Sequence, residues 1–175
     1  MRGKLRAIHS SFTDMDILKR VTGTWMGTYS YDPSEPVAKL GAVTFTLTLK
    51  QQGWFGRFVG TVSEDAALGI PGVGGIEGYF SYPRIEFTKR MPRCFVTTED
   101  GRLIPLRDYV AEEGYAWEHD MPHPAVFHQG QFSGPDCAAG TWTARPVRFP
   151  VGGGQMIVRA PVTGTWSMDK APPNR

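Results

Sequence analysis

Histidines and carboxylates gather in one short segment of this chain. Three of the four histidines, His119, His123 and His128, fall within ten residues, and two carboxylates stand beside the first of them in the run 118–124. Zinc accepts imidazole and carboxylate ligands, so these three histidines are candidate metal ligands. Their spacing matches no helical metal motif, however, and two prolines in the same segment favour a loop. We therefore predict a solvated polar loop without a metal, with the zinc site as the alternative.

The glycine-rich run 68–76 lacks the features of a phosphate loop. No Lys-Ser or Lys-Thr pair follows it and no helix opens after it, so backbone amides are not gathered at a helix N-terminus. We predict a hairpin loop there, placed to act as a lid over a barrel mouth. The nearby carboxylates Glu64, Asp65 and Glu77 show no spacing that singles out an acid–base pair, and we expect all three to be solvated on the surface.

Nucleophilic catalysis finds no support either. The chain contains no Gly-x-Ser-x-Gly elbow, and neither Cys94 nor Cys137 stands in a recognisable catalytic setting. We predict no catalytic residue, and the sequence favours a protein that is not an enzyme. Two cysteines are too few for a disulfide framework, so both are expected to be thiols in a reducing compartment. The first residues are too polar for a signal-peptide core, and we expect a cytoplasmic protein.

One tripeptide occurs three times, as Gly23-Thr24-Trp25, Gly140-Thr141-Trp142 and Gly164-Thr165-Trp166. Each copy belongs to a stretch that alternates like a β-strand, and the copies lie near the start and the end of the chain. A closed barrel would bring its first and last strands together there. The three tryptophans are either core and plug residues or the aromatic walls of a ligand cavity, and the two interpretations are compatible.

The elements that would position these rings are strands. Residues 43–50 alternate apolar and polar without a break, and residues 54–62 place glycine, phenylalanine and valine on one face. Further strands are predicted at 23–31, 75–81, 84–90, 94–98, around 103–110, and at 125–133, 138–145 and 155–168, the last broken at Pro161. A short helix is predicted at 15–21, capped by Thr13 or Asp14. The fold class is therefore all-β, an antiparallel up-and-down barrel of eight to ten strands with this N-terminal helix over one end.

Length and composition limit the partners. The chain has 175 residues, enough for one domain, with an apolar fraction of 41% and a net charge of +2. Without a basic stripe or a membrane-length apolar run, we expect neither a nucleic acid nor a membrane as partner. We divide the chain into an arm and short helix at 1–22, a barrel at 23–169 and a disordered tail at 170–175.

The opening run 12–25, which leads into Gly23-Thr24-Trp25, resembles the start of the calycin superfamily, the lipocalin, fatty-acid-binding and avidin barrels. The patterns at 56–62, 75–78 and 85–89, with the terminal Gly-x-Trp strand, are similar to small uncharacterised bacterial barrel proteins. The resemblance covers most of residues 23 to 168 and implies a barrel that binds a small ligand. The residues that bind biotin, retinoid or haem in such proteins are not matched here, so no cofactor is predicted.

We therefore expect non-catalytic binding of a small, largely apolar ligand inside the barrel. The predicted walls are Trp25, Tyr29, Phe45, Phe58, Phe80, Phe87, Trp142 and Trp166. His128 alternates with apolar neighbours in a predicted strand and is the candidate polar anchor. The first alternative is a filled barrel that acts as a surface interaction or oligomerisation module, with Trp54-Phe55 as a contact patch and a homodimer as one outcome. The second is an enzyme or metal site built on the histidine cluster.

Overall fold

The computed structural model describes residues 21–35, 38–39, 41–53, 55–98, 102–112, 122–151, 155–159 and 161–172. This part of the chain contains twelve β-strands and one α-helix. The strands are β1 Gly23–Tyr31, β2 Val43–Gln52, β3 Arg57–Glu64, β4 Val73–Ser81, β5 Arg84–Arg90, β6 Phe95–Thr97, β7 Leu103–Pro105, β8 Val126–Phe132, β9 Cys137–Ala144, β10 Val147–Val151, β11 Gln155–Arg159 and β12 Val162–Lys170. The helix α1 spans Leu106–Glu112.

Eight strands form a closed antiparallel barrel in the order β1, β2, β3, β4, β5, β8, β9 and β12. Closure comes from pairing of the first strand with the last, with Tyr29 opposite Trp166. Each barrel strand pairs with its neighbours along the barrel sequence, so the topology is up-and-down. The remaining strands form two separate two-stranded ribbons. In the sequence, β6–β7 lies between β5 and β8, and β10–β11 lies between β9 and β12. The predicted all-β barrel is confirmed, with eight strands in its wall.

Alternation decides which side chains enter the barrel. In β2 the residues Val43, Phe45, Leu47 and Leu49 are buried, and the residues between them face outward. The same period of two buries Phe58 and Val62 of β3. Because successive strand side chains point to opposite faces, a shift of one residue would have exposed these apolar groups.

The repeated tripeptide has a packing reason in the last two barrel strands. In the pairing of β9 with β12, Gly164 lies opposite Trp142 and Gly140 lies opposite Trp166. A Cβ on Gly164 would stand 2.6 Å from Trp142 Nε1, and one on Gly140 would collide with the backbone carbonyl oxygen of Gln129 on β8. Glycine at 164 therefore leaves the space that the indole of Trp142 occupies, and glycine at 140 allows the backbone of β8 to approach closely.

One connection differs from the sequence prediction, and a second prediction falls outside the described residues. The predicted strand around 103–110 is wrong, because only Leu103–Pro105 is extended and α1 begins directly afterwards. Leu106 and Val110 are buried and stand four residues apart, which is the spacing of one helix face. The predicted N-terminal helix at 15–21 lies outside the described residues, apart from its last residue.

Candidate functional site

One end of the barrel is closed by Trp25. We call this the closed end. The short connections β2–β3, β4–β5 and β8–β9 lie at the same end. Trp25 is fully buried, and its indole Nε1 donates a hydrogen bond to the carbonyl oxygen of Val21 at 2.9 Å. Its ring lies 5.9 Å from that of Phe132, and the ammonium group of Lys170 lies 5.6 Å from its centroid. Trp25 therefore acts as a plug.

The opposite end, which we call the mouth, carries the longer connections, those from β1 to β2, β3 to β4, β5 to β8 and β9 to β12. Tyr29, Tyr31 and Trp142 meet there edge to face. Their ring centroids are 5.8 Å apart for Tyr29 and Trp142, and 5.3 Å apart for Tyr31 and Trp142. The indole of Trp142 donates to the carbonyl of Ser30 at 3.1 Å. Edge-to-face aromatic contacts are favourable and orient these rings.

A second group of rings crosses the interior between the two ends. Phe87 stacks on His128 with centroids 4.4 Å apart and planes 10° from parallel, and it meets Trp166 edge to face at 5.4 Å. The ring centroid of Phe58 lies 6.4 Å from that of Phe87. Trp166 also donates a hydrogen bond from its indole to the carbonyl oxygen of Thr141 at 3.0 Å. The middle of the barrel therefore holds a connected group of aromatic rings, surrounded by aliphatic core residues.

A buried ion pair lies among these apolar side chains near the mouth. The ammonium group of Lys89 bonds Glu64 Oε1, and the side chains of the two residues are 8% and 0% exposed. The other carboxylate oxygen, Oε2, accepts a hydrogen bond from the Tyr29 hydroxyl at 3.2 Å and one from the Ile70 amide at 2.7 Å. Lys89 Nζ also lies 4.7 Å from the centroid of the Tyr29 ring. The prediction that Glu64 is solvated is therefore wrong.

The sequence did contain a signal for this pair. In β3, Glu64 continues the inward series of Phe58 and Val62, and in β5, Lys89 continues that of Ile85 and Phe87. The prediction of a solvated Glu64 followed instead the general tendency of charged side chains to lie on the surface. Asp65 and Glu77, by contrast, are exposed as predicted, with Glu77 Oε1 2.6 Å from Arg90 Nη1 on the outer face.

His128 enters the barrel as its alternation predicted and is only 6% exposed. Its Nδ1 lies 3.2 Å from the carbonyl oxygen of Val126. Because a carbonyl only accepts hydrogen bonds, Nδ1 carries the proton and Nε2 is left as an acceptor. Burial, followed by the positive charge of Lys89, lowers the pKa of His128 to about 3. The imidazole is therefore uncharged at neutral pH.

This buried imidazole leads to a prediction about pH. In the unfolded chain a histidine takes up a proton below pH 6.5, its ordinary pKa, whereas folded His128 does so only near pH 3. Stability should therefore fall as the pH decreases from about 6.5 towards 3, by up to about 1.4 kcal/mol per pH unit from this residue. Urea unfolding across this range should give a shallower slope for His128→Asn than for the wild type. Parallel curves for the two proteins would contradict the prediction.

The structure brings all the predicted wall residues into the barrel interior. Each of the following is at most 7% exposed: Trp25, Tyr29, Phe45, Phe58, Phe80, Phe87, His128, Trp142 and Trp166. The alternation therefore predicted their direction correctly. Their low exposure also shows that the rings pack closely on their surroundings. A ligand bound among them would need to take space that side chains occupy in this structure.

The histidine cluster is described only in part. His119 lies outside the described residues, as does Trp54 of the predicted contact patch. His123 is partly exposed and places Nδ1 2.9 Å from the carbonyl oxygen of Pro124, whereas His128 is stacked inside the barrel. Among the described residues no group of three or more histidine, cysteine, aspartate or glutamate side chains could hold a metal ion. Cys94 and Cys137 are not joined in a disulfide.

The outer face of strands β3, β4, β5, β8 and β9 carries a shallow concavity of about 590 Å³. Tyr79 and Phe127 contribute exposed rings to it, and Arg57 and Gln129 contribute polar groups. The guanidinium group of Arg145 lies 4.6 Å from the centroid of the Phe127 ring. No sequence pattern marks this surface, because outward-facing residues on a strand are chemically diverse and their neighbours depend on strand order.

Comparisons with known proteins add little to this geometry. No protein-family model matches the sequence, and no curated protein matches it. Among solved structures, the chain is similar to an S-type phycobiliprotein lyase, CPES, from Guillardia theta, with 12% sequence identity over 94% of this chain and 96% of that chain, and a TM-score of 0.39. At this level the similarity indicates nothing about function, and the barrel is established by its own strand pairing. No helix in the described part of the chain is long and apolar enough to cross a membrane.

Proposed function

We propose that the protein binds a small, largely apolar molecule inside a calycin-like barrel, without catalysis. The observation that carries this proposal is the buried group formed by Lys89, Glu64 and Tyr29 within an interior of aromatic and aliphatic side chains. A buried ion pair is no more stabilising than well-packed apolar residues of similar volume, and is often less so. A barrel that needed only to fill its interior would therefore gain nothing from these charges, whereas a bound molecule with a polar atom would use them.

The two ends of the barrel support access from the mouth. Trp25 is fully buried and seals the closed end, so the ligand would enter where Tyr29, Tyr31 and Trp142 meet by their edges. An eight-stranded barrel has room for one small molecule at most. Because the rings now pack on one another, binding is proposed to turn the mouth rings aside and to replace ring–ring contacts with ring–ligand contacts.

Titration with N-phenyl-1-naphthylamine, an uncharged fluorescent apolar probe, tests this proposal. We expect saturable enhancement and a blue shift of its emission with about one site per chain, because the probe would move from water into the aromatic interior. The control is the double variant Tyr79→Ser/Phe127→Ser, which removes the exposed rings of the outer concavity and leaves the interior intact. Binding that is unchanged in this variant supports the interior site. Failure of the wild type to bind, or loss of binding in the variant, contradicts it.

One observation favours the second candidate, a filled barrel that works through its surface. Phe55 is 82% exposed, and Tyr79 is 49% exposed on the rim of the outer concavity. Large apolar side chains in contact with water are a feature of interaction surfaces. Native mass spectrometry separates the candidates, since a surface module would give a dimer or larger assembly with no small-molecule adduct, and the ligand binder would retain an adduct of the added probe.

A further inference from the structure

We propose that the barrel interior selects uncharged ligands with one polar group, such as a hydroxyl or a carbonyl, and that Glu64 is the residue that excludes carboxylates. This inference rests on the proposed function. It concerns the same interior site and names the chemical class of molecule that the site accepts. Two features of the site produce this selectivity: the balance of charge near the mouth, and the three hydrogen bonds that hold Glu64 in place.

The described interior carries no net charge. Lys89 and Glu64 are the two ionised side chains buried there, and they neutralise each other. Tyr29 remains a phenol, because burial and then the charge of Glu64 raise its pKa well above the ordinary value. Burial and the charge of Lys89 lower the pKa of His128 to about 3, so it is also neutral. A charged ligand would therefore bring an uncompensated charge into an apolar, desolvated space.

Glu64 is fixed in a position from which it opposes an anion. Its Oε2 is held by the Tyr29 hydroxyl and by the Ile70 amide of the β3–β4 connection, and its Oε1 by Lys89. A ligand carboxylate that approached Lys89 would therefore lie against a carboxylate that three donors hold in place. Like charges in such proximity cost several kcal/mol in binding.

An uncharged acceptor suits the same group. The ammonium group of Lys89 carries three N–H donors, and its described contacts are Glu64 and the face of the Tyr29 ring. A hydroxyl or carbonyl oxygen can accept from this ammonium group without disturbing the ion pair. Both charged residues also lie near the mouth, with Glu64 as the last residue of β3 and Lys89 as the last but one of β5. The apolar part of the ligand would then contact the rings.

Three probes that share one ring and differ in charge test the inference. They are 2-naphthylmethanol, 2-naphthoate and 2-naphthylmethylamine, with affinities measured by calorimetry at pH 7.5. We expect the wild type to bind the alcohol at least about tenfold more tightly than either charged probe. In Glu64→Gln the amide still accepts from Tyr29 and Ile70, but Lys89 is left with a net positive charge. The ratio of carboxylate to alcohol affinity should then rise at least about tenfold.

The reciprocal variant Lys89→Met leaves the negative charge of Glu64, so its ratio of amine to alcohol affinity should rise by a similar factor. The neutral double variant, Lys89→Met/Glu64→Gln, should fold even if the single variants do not, and should keep the preference for the alcohol. A wild type that binds the carboxylate as tightly as the alcohol would overturn the inference but leave the proposed function standing. A folded Glu64→Gln variant with the wild-type ratio of carboxylate to alcohol affinity would do the same. A wild type that binds none of the three probes would overturn both.

Discussion

Replacing Lys89 with methionine is expected to lower the free energy of unfolding by about 3–5 kcal/mol. The substitution leaves the carboxylate of Glu64, whose side chain is fully buried, without its counter-ion. The methionine keeps much of the apolar volume of the lysine stem, so the loss reports on charge more than on packing. Urea unfolding at pH 7.5, followed by tryptophan fluorescence, measures this difference.

Two controls show whether desolvation is the cause. The double variant Lys89→Met/Glu64→Gln removes both charges and keeps an acceptor for Tyr29 and Ile70, so it should recover most of the loss and lie within about 1–2 kcal/mol of the wild type. Arg90→Met breaks the neighbouring ion pair between Arg90 and Glu77, in which both side chains are more than half exposed. This variant should cost far less than Lys89→Met, because water screens an exposed pair. If Lys89→Met costs no more than Arg90→Met, the interior pair is not desolvated as described.

Replacing Trp25 with alanine is expected to destabilise the protein by about 3–5 kcal/mol. Trp25 is fully buried at the closed end, where it packs on Phe132 and donates to the carbonyl of Val21. Its removal leaves a cavity that the surrounding strands cannot close, because they are held in register by the barrel. The midpoint of urea unfolding, with an unchanged dependence on urea concentration, gives the size of the loss.

Two further variants show whether the effect comes from the plug. Trp25→Phe keeps a ring and should cost clearly less than the alanine variant, although the hydrogen bond to Val21 is lost. Phe55→Ala removes a ring that is 82% exposed and should change stability by no more than about 0.5 kcal/mol. A cost below about 1 kcal/mol for Trp25→Ala would mean that the closed end is loosely packed, contrary to the structure.

Alternation along single strands was enough to predict the barrel and the direction of its aromatic residues. The period of two in residues 43–50 is a local property, and burial of one face follows from the apolar character of every second residue. The same reasoning correctly placed His128 inside. It failed in the second half of the strand predicted around 103–110, where the pattern over so few residues fitted both a strand and a helix face, and the structure contains the helix Leu106–Glu112.

The tertiary structure alone decided what lies next to what inside the barrel. Glu64 and Lys89 are 25 residues apart, on strands β3 and β5, which are separated by β4. Alternation along each strand predicts that both side chains point inward. No local pattern predicts that they form an ion pair or that the Tyr29 hydroxyl donates to Glu64. Strand order and the tilt of a closed barrel bring these side chains together. Charge neutralisation in an apolar interior then stabilises the pair, and it is this long-range effect that creates the polar part of the candidate site.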